Sequence, residues 1–356
     1  MSRLSLVMIV RDEEKRLGRC LSSVQELVDE IVVVDTGSRD QTVSIARAYG
    51  ASVYHFEWTD DFSEARNFAL SKSTSDWNLV LDADNYVTHA ETSALKAFLE
   101  QDSKRWIGRI KIIDEAYSQG EYKETVGWYS RLFPSELRYA GRIHEEIVSD
   151  YPRQRLPIIV RHDGYVARDK SSRNIPLLLS ALKDSPSPYY HFQLGKEYYG
   201  IKDYVRSCEQ FHLSYSQLTG RESFAPQVVV NYLYALLGLG NLSLGMKIIL
   251  ESHEYAKGYS DYYFVCGLFY LDYIMEAPQE RLHLLPRIEE CYLLALEAGE
   301  GDHREHVKGT GSDAALFNLG VFYETTGRIK EAKEAYFQAG ELGNSKAKER
   351  LNLLTK

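Results

Sequence analysis

The chain has 356 residues, 44% hydrophobic and 26% charged, which is enough for two domains, each with its own core. Its formal net charge of −9, with basic residues scattered along the sequence, excludes the electrostatic footprint of a nucleic-acid binder. Four cysteines (Cys20, Cys208, Cys266, Cys291) lie far apart without a Cys-x-x-Cys pair, so neither a zinc site nor a disulfide scaffold is expected, and a reducing, cytoplasmic location is the simplest reading.

The first apolar run, Leu4 to Val10, meets charge at once and is too short for a signal-peptide core or a membrane span; it reads as a strand. Arg11-Asp12-Glu13-Glu14 breaks it, and a helical stretch with Leu17, Leu21, Val24 and Leu27 on one face follows. A second strand, Glu30 to Asp35, ends in acid and leads through Thr36-Gly37-Ser38-Arg39-Asp40 into a helix from Gln41 to Tyr49. Ala51 to Phe56 is the third strand, and Asp61 to Ser71 a helix capped by Thr59, Asp60 or Asp61, with Trp58 and Phe62 read as core in preference to the wall of a ligand pocket. The buried run Trp77 to Leu81 is the fourth strand, ending in Asp82-Ala83-Asp84. A helix from Glu91 to Gln101 follows, then strands near Trp106 to Ile113, Thr125 to Phe133 and Ile158 to Val160.

Strand and helix alternating at this spacing predict parallel βαβ units. Ligands bind an open parallel sheet outside the carboxyl ends of its strands, where loop amides and helix N-termini converge. Val10, Asp35, Asp82 and Asp84 all fall at that edge. Two carboxylates one residue apart form a hard-oxygen site for a divalent cation and the diphosphate it neutralises.

Beyond about Lys170 the pattern turns helical, with the break at Lys183-Asp184-Ser185-Pro186-Ser187-Pro188. We expect a first domain over 1–170, a linker helix and break over 171–187, and helical repeats over 188–356. Leu316, Leu319, Gly320, Tyr323, Gly327, Ala332, Tyr336 and Ala339 reproduce a tetratricopeptide unit. A second copy runs through His191, Leu194, Gly195, Tyr198, Ser207 and Phe211; another runs through Tyr263, Cys266, Gly267, Tyr270, Tyr292 and Ala295 with an insertion near Ala277 to Pro286. A weaker unit spans Asn231 to Ser252. Small residues mark the close approach of paired helices, and tyrosines fill the space between turns. No stretch is apolar enough to span a membrane, since even Val228 to Leu239 is interrupted by Asn231 and Gly238; peripheral contact with a membrane stays open.

Four motifs in order, Leu6 to Glu14, Val28 to Thr42, Trp58 to Asn67 and Trp77 to Asp84, resemble the family 2 glycosyltransferases of the GT-A fold, specifically bacterial members with a tetratricopeptide tail. The resemblance covers nearly the whole first domain. It implies an α/β nucleotide-sugar-binding domain followed by an all-α repeat domain, and inverting transfer of a hexose or N-acetylhexosamine from a donor, commonly a UDP-sugar, with Mg²⁺ or Mn²⁺. By this likeness Val10, Glu13 and Asp35 hold the nucleoside, Asp82 and Ala83 lie against the donor with Asp82 near the ribose or metal, Asp84 coordinates the cation, and Arg66 reaches the diphosphate. Asp12 stands where the family usually has asparagine and Asn85 where it often has glutamate, which leaves the donor sugar open.

The chemistry asks for the same groups: negative charge develops on the leaving diphosphate, which a cation and arginines such as Arg66 and Arg131 stabilise, and inversion needs a base on the far side of the sugar. Two clusters lie downstream, Gly141-Arg142-Ile143-His144-Glu145-Glu146 and Arg161-His162-Asp163-Gly164-Tyr165. The resemblance favours Glu145 as general base and His162 as third metal ligand beside Asp82 and Asp84; Asp114, Glu115 and Asp163 are alternative bases. The repeats point to a peptide or protein acceptor, a glycan or lipid-linked acceptor and a homodimer remaining open. A rival reading is a non-catalytic scaffold that binds a nucleotide-sugar without turning it over. A nucleotidyltransferase is disfavoured, because the first loop is acidic and has no glycine before Gly18.

Overall fold

The computed structural model describes residues 2–101, 103–118, 121–163, 170–301 and 305–355. The chain divides into two compact units, Met1–Lys170 and Ser171–Lys356.

In the first unit, β1 (Leu4–Val10), α1 (Leu17–Val24), β2 (Glu30–Asp35), α2 (Thr42–Ala48), β3 (Ser52–His55), α3 (Phe62–Leu70) and β4 (Trp77–Val80) follow the expected alternation. There follow β5 (Asn85–Ala90), α4 (Thr92–Leu99), β6 (Ile107–Ser118), β7 (Glu121–Pro134), β8 (Tyr139–Ala140), β9 (Glu146–Ile147) and β10 (Arg153–His162). The main sheet runs β3-β2-β1-β4-β7-β6-β10-β5, and β8 pairs with β9 separately. Strands β3, β2, β1 and β4 are parallel; β7 runs against β4 and β6, and β5 against β10. Of these antiparallel pairs only β6 and β7 are consecutive in sequence, whereas β4–β7 and β5–β10 join strands distant in the chain.

β1 and β4 are apolar almost throughout because both faces of the sheet are covered. One layer gathers Leu4, Leu6, Met8, Leu17, Leu21, Trp77, Leu79 and Phe98; the other gathers Val7, Val32, Val34, Leu70, Val80 and Phe133. Trp58 and Phe62 correct the sequence reading: they pack edge to face at 4.8 Å but are only half-buried and join neither layer. Trp58 keeps its Nε1 on Asp60 Oδ1 at 2.7 Å, so the ring stays near the surface.

The second unit is helical. Its helices pair as Pro188–Gly200 with Tyr204–Tyr215, Ala225–Leu239 with Leu242–Ala256, Ser260–Glu276 with Leu285–Ala298, and Asp313–Thr325 with Ile329–Glu341, with Ser345–Leu354 closing the run. The predicted insertion is a short helix, Pro278–Arg281, followed by a 3-10 turn, Leu282–Leu284. A Cβ on Gly195 would lie 2.6 Å from Phe211, on Gly267 2.7 Å from Tyr292, and on Gly320 2.6 Å from Tyr336. Each glycine therefore admits a ring from the second helix of its own pair. Ser207, the small residue of the first pair, is fully buried and donates to Gly195 O at 2.9 Å.

Candidate active site

Register fixes which side chains meet at the carboxyl edge of the sheet. Val10 is level with Asp35, Asp35 with His55, and Val7 with Val80, which sets Asp82 and Asp84 just past the end of β4. Because β6 and β10 run the same way as β4, His162 ends β10 at this edge, level with Asp114 on β6, which runs on past it to Ser118, and with Asn85 at the start of β5.

The first two loops are folded onto one another. Thr36 donates to Val10 O through its backbone N at 3.0 Å and its hydroxyl at 3.1 Å. Asp12, at φ 53°, donates its N–H to Ser38 Oγ at 3.0 Å and accepts from Arg39 N at 2.8 Å. That left-handed backbone suits Asp or Asn, whose short polar side chains bond locally. Glu13 O receives Arg16 N and Leu17 N, starting α1, and Glu13 N donates to Thr42 Oγ1 at 2.7 Å. Asp35, 3% exposed, accepts from Gly37 N and Ser38 N at 3.1–3.2 Å and lies 3.3 Å from His55 Nδ1.

The turn after β4 closes through Asn85 N to Asp82 O at 2.9 Å and Asp82 N to Asn85 Oδ1 at 3.3 Å, while Ala83 is buried. Its two aspartates then part company. Asp82 faces Arg66 Nη2 at 2.7 Å and Arg131 Nη2 at 3.4 Å. Burial works to raise its carboxyl, but the two guanidiniums reverse this and hold it far below the usual carboxylate range. Asp84 Oδ2 lies 3.2 Å from both His162 Nε2 and Lys170 Nζ. Burial opposes its ionisation too, and the bond from His162 with the charge of Lys170 brings it down to about 2. His162 Nδ1 lies 2.5 Å from Asp114 Oδ1; burial would lower its pKa, and its bonds to Asp114 and Asp84 raise it to about 9.

The remaining sequence candidates are paired as well. Glu145 is bonded to Arg66 Nε. Burial works to lower the Arg66 pKa, but Asp82 and Glu145 raise it well above its ordinary value, so the guanidinium stays charged. Asp163 receives Arg19 at 2.5 Å and Arg16 at 3.5 Å; Glu115 receives Arg161 at 2.8 Å. His144 sits in the same loop as Glu145 with φ 53°. Gly164 and Tyr165 lie outside the described residues. Sequence reasoning missed Lys170 as a site residue and did not join Asp114 to His162, which the parallel register of β6 and β10 brings level.

Among the described residues no three His, Cys, Asp or Glu side chains converge as a closed metal cage. Asp84 and His162 offer an oxygen and a nitrogen 3.2 Å apart. That pair suits a hard cation which draws its other ligands from a diphosphate and water. Asp82 is engaged by two arginines instead.

Residues 5–154 match the family model "Glycosyl transferase family 2". A TPR repeat-containing protein of Synechococcus elongatus is 39% identical over 184 residues, covering 48% of this chain and 44% of the relative, so the chain spans less than half of that protein's length. The SPbeta prophage-derived glycosyltransferase SunS of Bacillus subtilis is 24% identical over 367 residues, covering 96% of this chain and 81% of the relative. Among solved structures, MamA covers 50% of this chain and 91% of its own at 19% identity with a TM-score of 0.39, a superposition too loose to bear on the site.

Proposed function

Since the first unit of this chain is a glycosyl transferase family 2 domain, followed by tetratricopeptide-like helical repeats, we propose that it is an inverting hexosyltransferase. Its donor is a UDP-hexose or UDP-N-acetylhexosamine, its acceptor a peptide, protein or glycan, and its cofactor Mg²⁺ or Mn²⁺. The observation that carries this reading is the placement of Asp35, at the end of β2, and Asp84, just past β4, at the same edge of the sheet on either side of β1, beside the β1–β4 boundary where the strand order reverses. Nucleotides bind at such switch points in open α/β sheets.

In this reading Asp35 and the interlocked Val10–Glu13 and Thr36–Thr42 loops receive the nucleoside. Asp84 and His162 hold the cation, which when bound neutralises the diphosphate as it leaves. Asp84 already draws His162 and Lys170 toward itself, which marks a position built for positive charge. Glu145 takes the proton from the acceptor as its nucleophilic atom bonds to the anomeric carbon, and the electron pair of the broken C–O bond leaves with the nucleoside diphosphate. Tetratricopeptide grooves commonly hold extended chains, which favours a peptide or protein acceptor. The chain is taken to work in the cytoplasm; among the described residues no helix is long and apolar enough to cross a membrane.

The pairing of every candidate base with a cation favours one second reading, a scaffold that binds a nucleotide-sugar without turning it over. A thermal-shift screen of UDP-glucose, UDP-galactose and UDP-N-acetylglucosamine, with and without Mn²⁺, identifies the donor by the rise in melting temperature. Slow release of UDP from that donor supports the enzyme; binding without release from any donor supports the scaffold. Asp35→Ala is expected to weaken UDP binding about 10- to 100-fold, the worth of a charged hydrogen bond.

A further inference from the structure

Helix α3 turns Ser63, Arg66 and Asn67 to one loop. Its N-terminal Phe62 N donates to Arg142 O at 2.8 Å and Ser63 Oγ to Gly141 O at 2.7 Å. One turn on, Asn67 clasps the backbone of Tyr139 from both sides, Nδ2 to Tyr139 O and Tyr139 N to Oδ1, each at 2.9 Å. Between these contacts Arg66, 6% exposed, bonds Glu145 through Nε and Asp82 through Nη2 at 2.7 Å, while its guanidinium carbon sits 5.6 Å from the centre of the Tyr139 ring. The third nitrogen, Nη1, is buried and has no hydrogen-bond partner among the described residues. Two of its three nitrogens are thus spent on carboxylates and the group is 6% exposed, which sets it inside the protein rather than on a surface open to a diphosphate, the role the resemblance implies for it.

We propose that Arg66 is a positioning residue: it ties the 139–145 loop to the end of β4, fixing the Glu145 carboxylate and turning Asp82 away from the cation site. The segment Trp58–Asn67 is then a splint for the loop that carries the base, and its effect on the donor is indirect. This rests on the reading of Glu145 as general base given above. Two carboxylates from segments far apart in the chain converge on one planar fork, which a point-charge lysine cannot hold in the same geometry. Small misplacement of a base costs on the order of 100-fold in rate while leaving ground-state binding largely alone.

The test compares Arg66→Gln, Arg66→Lys, Asn67→Ala and Glu145→Gln in the full-length chain, reading UDP affinity with Mn²⁺ by calorimetry and donor turnover by UDP release. Expected for Arg66→Gln is a fall in kcat on the order of 100-fold with UDP affinity changed less than about threefold, and partial rescue in Arg66→Lys. Asn67→Ala, which removes no charge, keeps the test open where Arg66→Gln fails to fold; it too lowers kcat at unchanged UDP affinity. Loss of UDP binding in proportion to lost turnover makes Arg66 a diphosphate ligand and overturns the proposal, as does full kcat in Asn67→Ala. Full turnover in Glu145→Gln removes the base reading itself, an outcome distinct from a silent Arg66 beside an inactive Glu145 variant.

Discussion

The first unit buries charge at its strand ends, whereas the second buries rings against glycines. At the sheet edge Arg66, Arg131, Asp82 and Glu145 are packed within reach of one another, and Asp84 with His162 and Lys170. Removing one member of such a set strands a buried charge and costs about 3–5 kcal/mol. In the repeats the recurring contact is Phe211, Tyr292 or Tyr336 seated on a glycine, an interaction of shape that carries no charge. Loss of polar groups from the first unit should therefore show in stability and also in binding and turnover, and loss of volume from the second in stability alone.

The largest effect expected is at Asp84. Asp84→Ala removes the carboxylate on which His162 and Lys170 converge, and turnover with Mn²⁺ should drop by about 1000-fold or more while far-UV circular dichroism is unchanged. Retained activity would exclude the proposed coordination. Its counterpart in the second unit is Phe211→Ala. That ring is fully buried against Gly195, and its loss should cost about 3–5 kcal/mol by urea denaturation, with UDP release per folded molecule unaltered.

This contrast also separates what was legible in the sequence from what was not. The repeats announce themselves because Gly195 and Phe211, or Gly320 and Tyr336, recur at one spacing, and the insertion is visible as the longer interval from Gly267 to Tyr292. The parallel strands were legible from apolar runs that end in Asp35 and Asp82. Strand β5 was not: Asn85–Ala90 pairs, among the described residues, only with β10, is partly exposed and mixes Thr88 and His89 with Tyr86 and Val87, so neither a buried run nor a strict alternation betrays it. Nor was the engagement of Arg66 with Asp82 and Glu145, since no periodicity connects charges brought together by a β-turn, a helix and a distant loop. The glycosyltransferase resemblance supplied residue roles, and the burial of Arg66 between two carboxylates is the observation on which a different role is proposed for it.

One buried acid breaks the division between the units and makes it testable by pH. Asp261, 4% exposed in the second unit, accepts from Val307 N at 3.0 and 3.2 Å, from Tyr259 OH at 3.0 Å and from Thr310 Oγ1 at 2.5 Å. Burial outweighs these bonds and pushes its carboxyl up to about 6. The folded state thus binds this proton more tightly than the unfolded chain. Its contribution is full below about pH 4 and lost as pH rises through about 6, on the order of 3 kcal/mol in all. Urea midpoints between pH 4 and 7 should fall accordingly, and Asp261→Asn should flatten that slope without moving UDP affinity. A slope unchanged in the variant assigns the titration elsewhere.

The smallest effect discriminates most sharply, because it compares two helix caps of equal worth. Asp61 accepts from Glu64 N at 3.1 Å to start α3, and Ser187 accepts from Tyr190 N at 3.2 Å to start the helix Pro188–Gly200. Either replacement by alanine should cost about 1 kcal/mol by urea denaturation. Their consequences for turnover should differ. Fraying of α3 loosens the hold of Phe62 N and Ser63 Oγ on Arg142 and Gly141, so Asp61→Ala should lower kcat at constant UDP affinity. Ser187→Ala frays a helix whose neighbours are packed rings, and kcat should stay at the parent value. Equal losses of kcat in the two variants would mean that turnover follows general stability, leaving α3 no special part in holding the base.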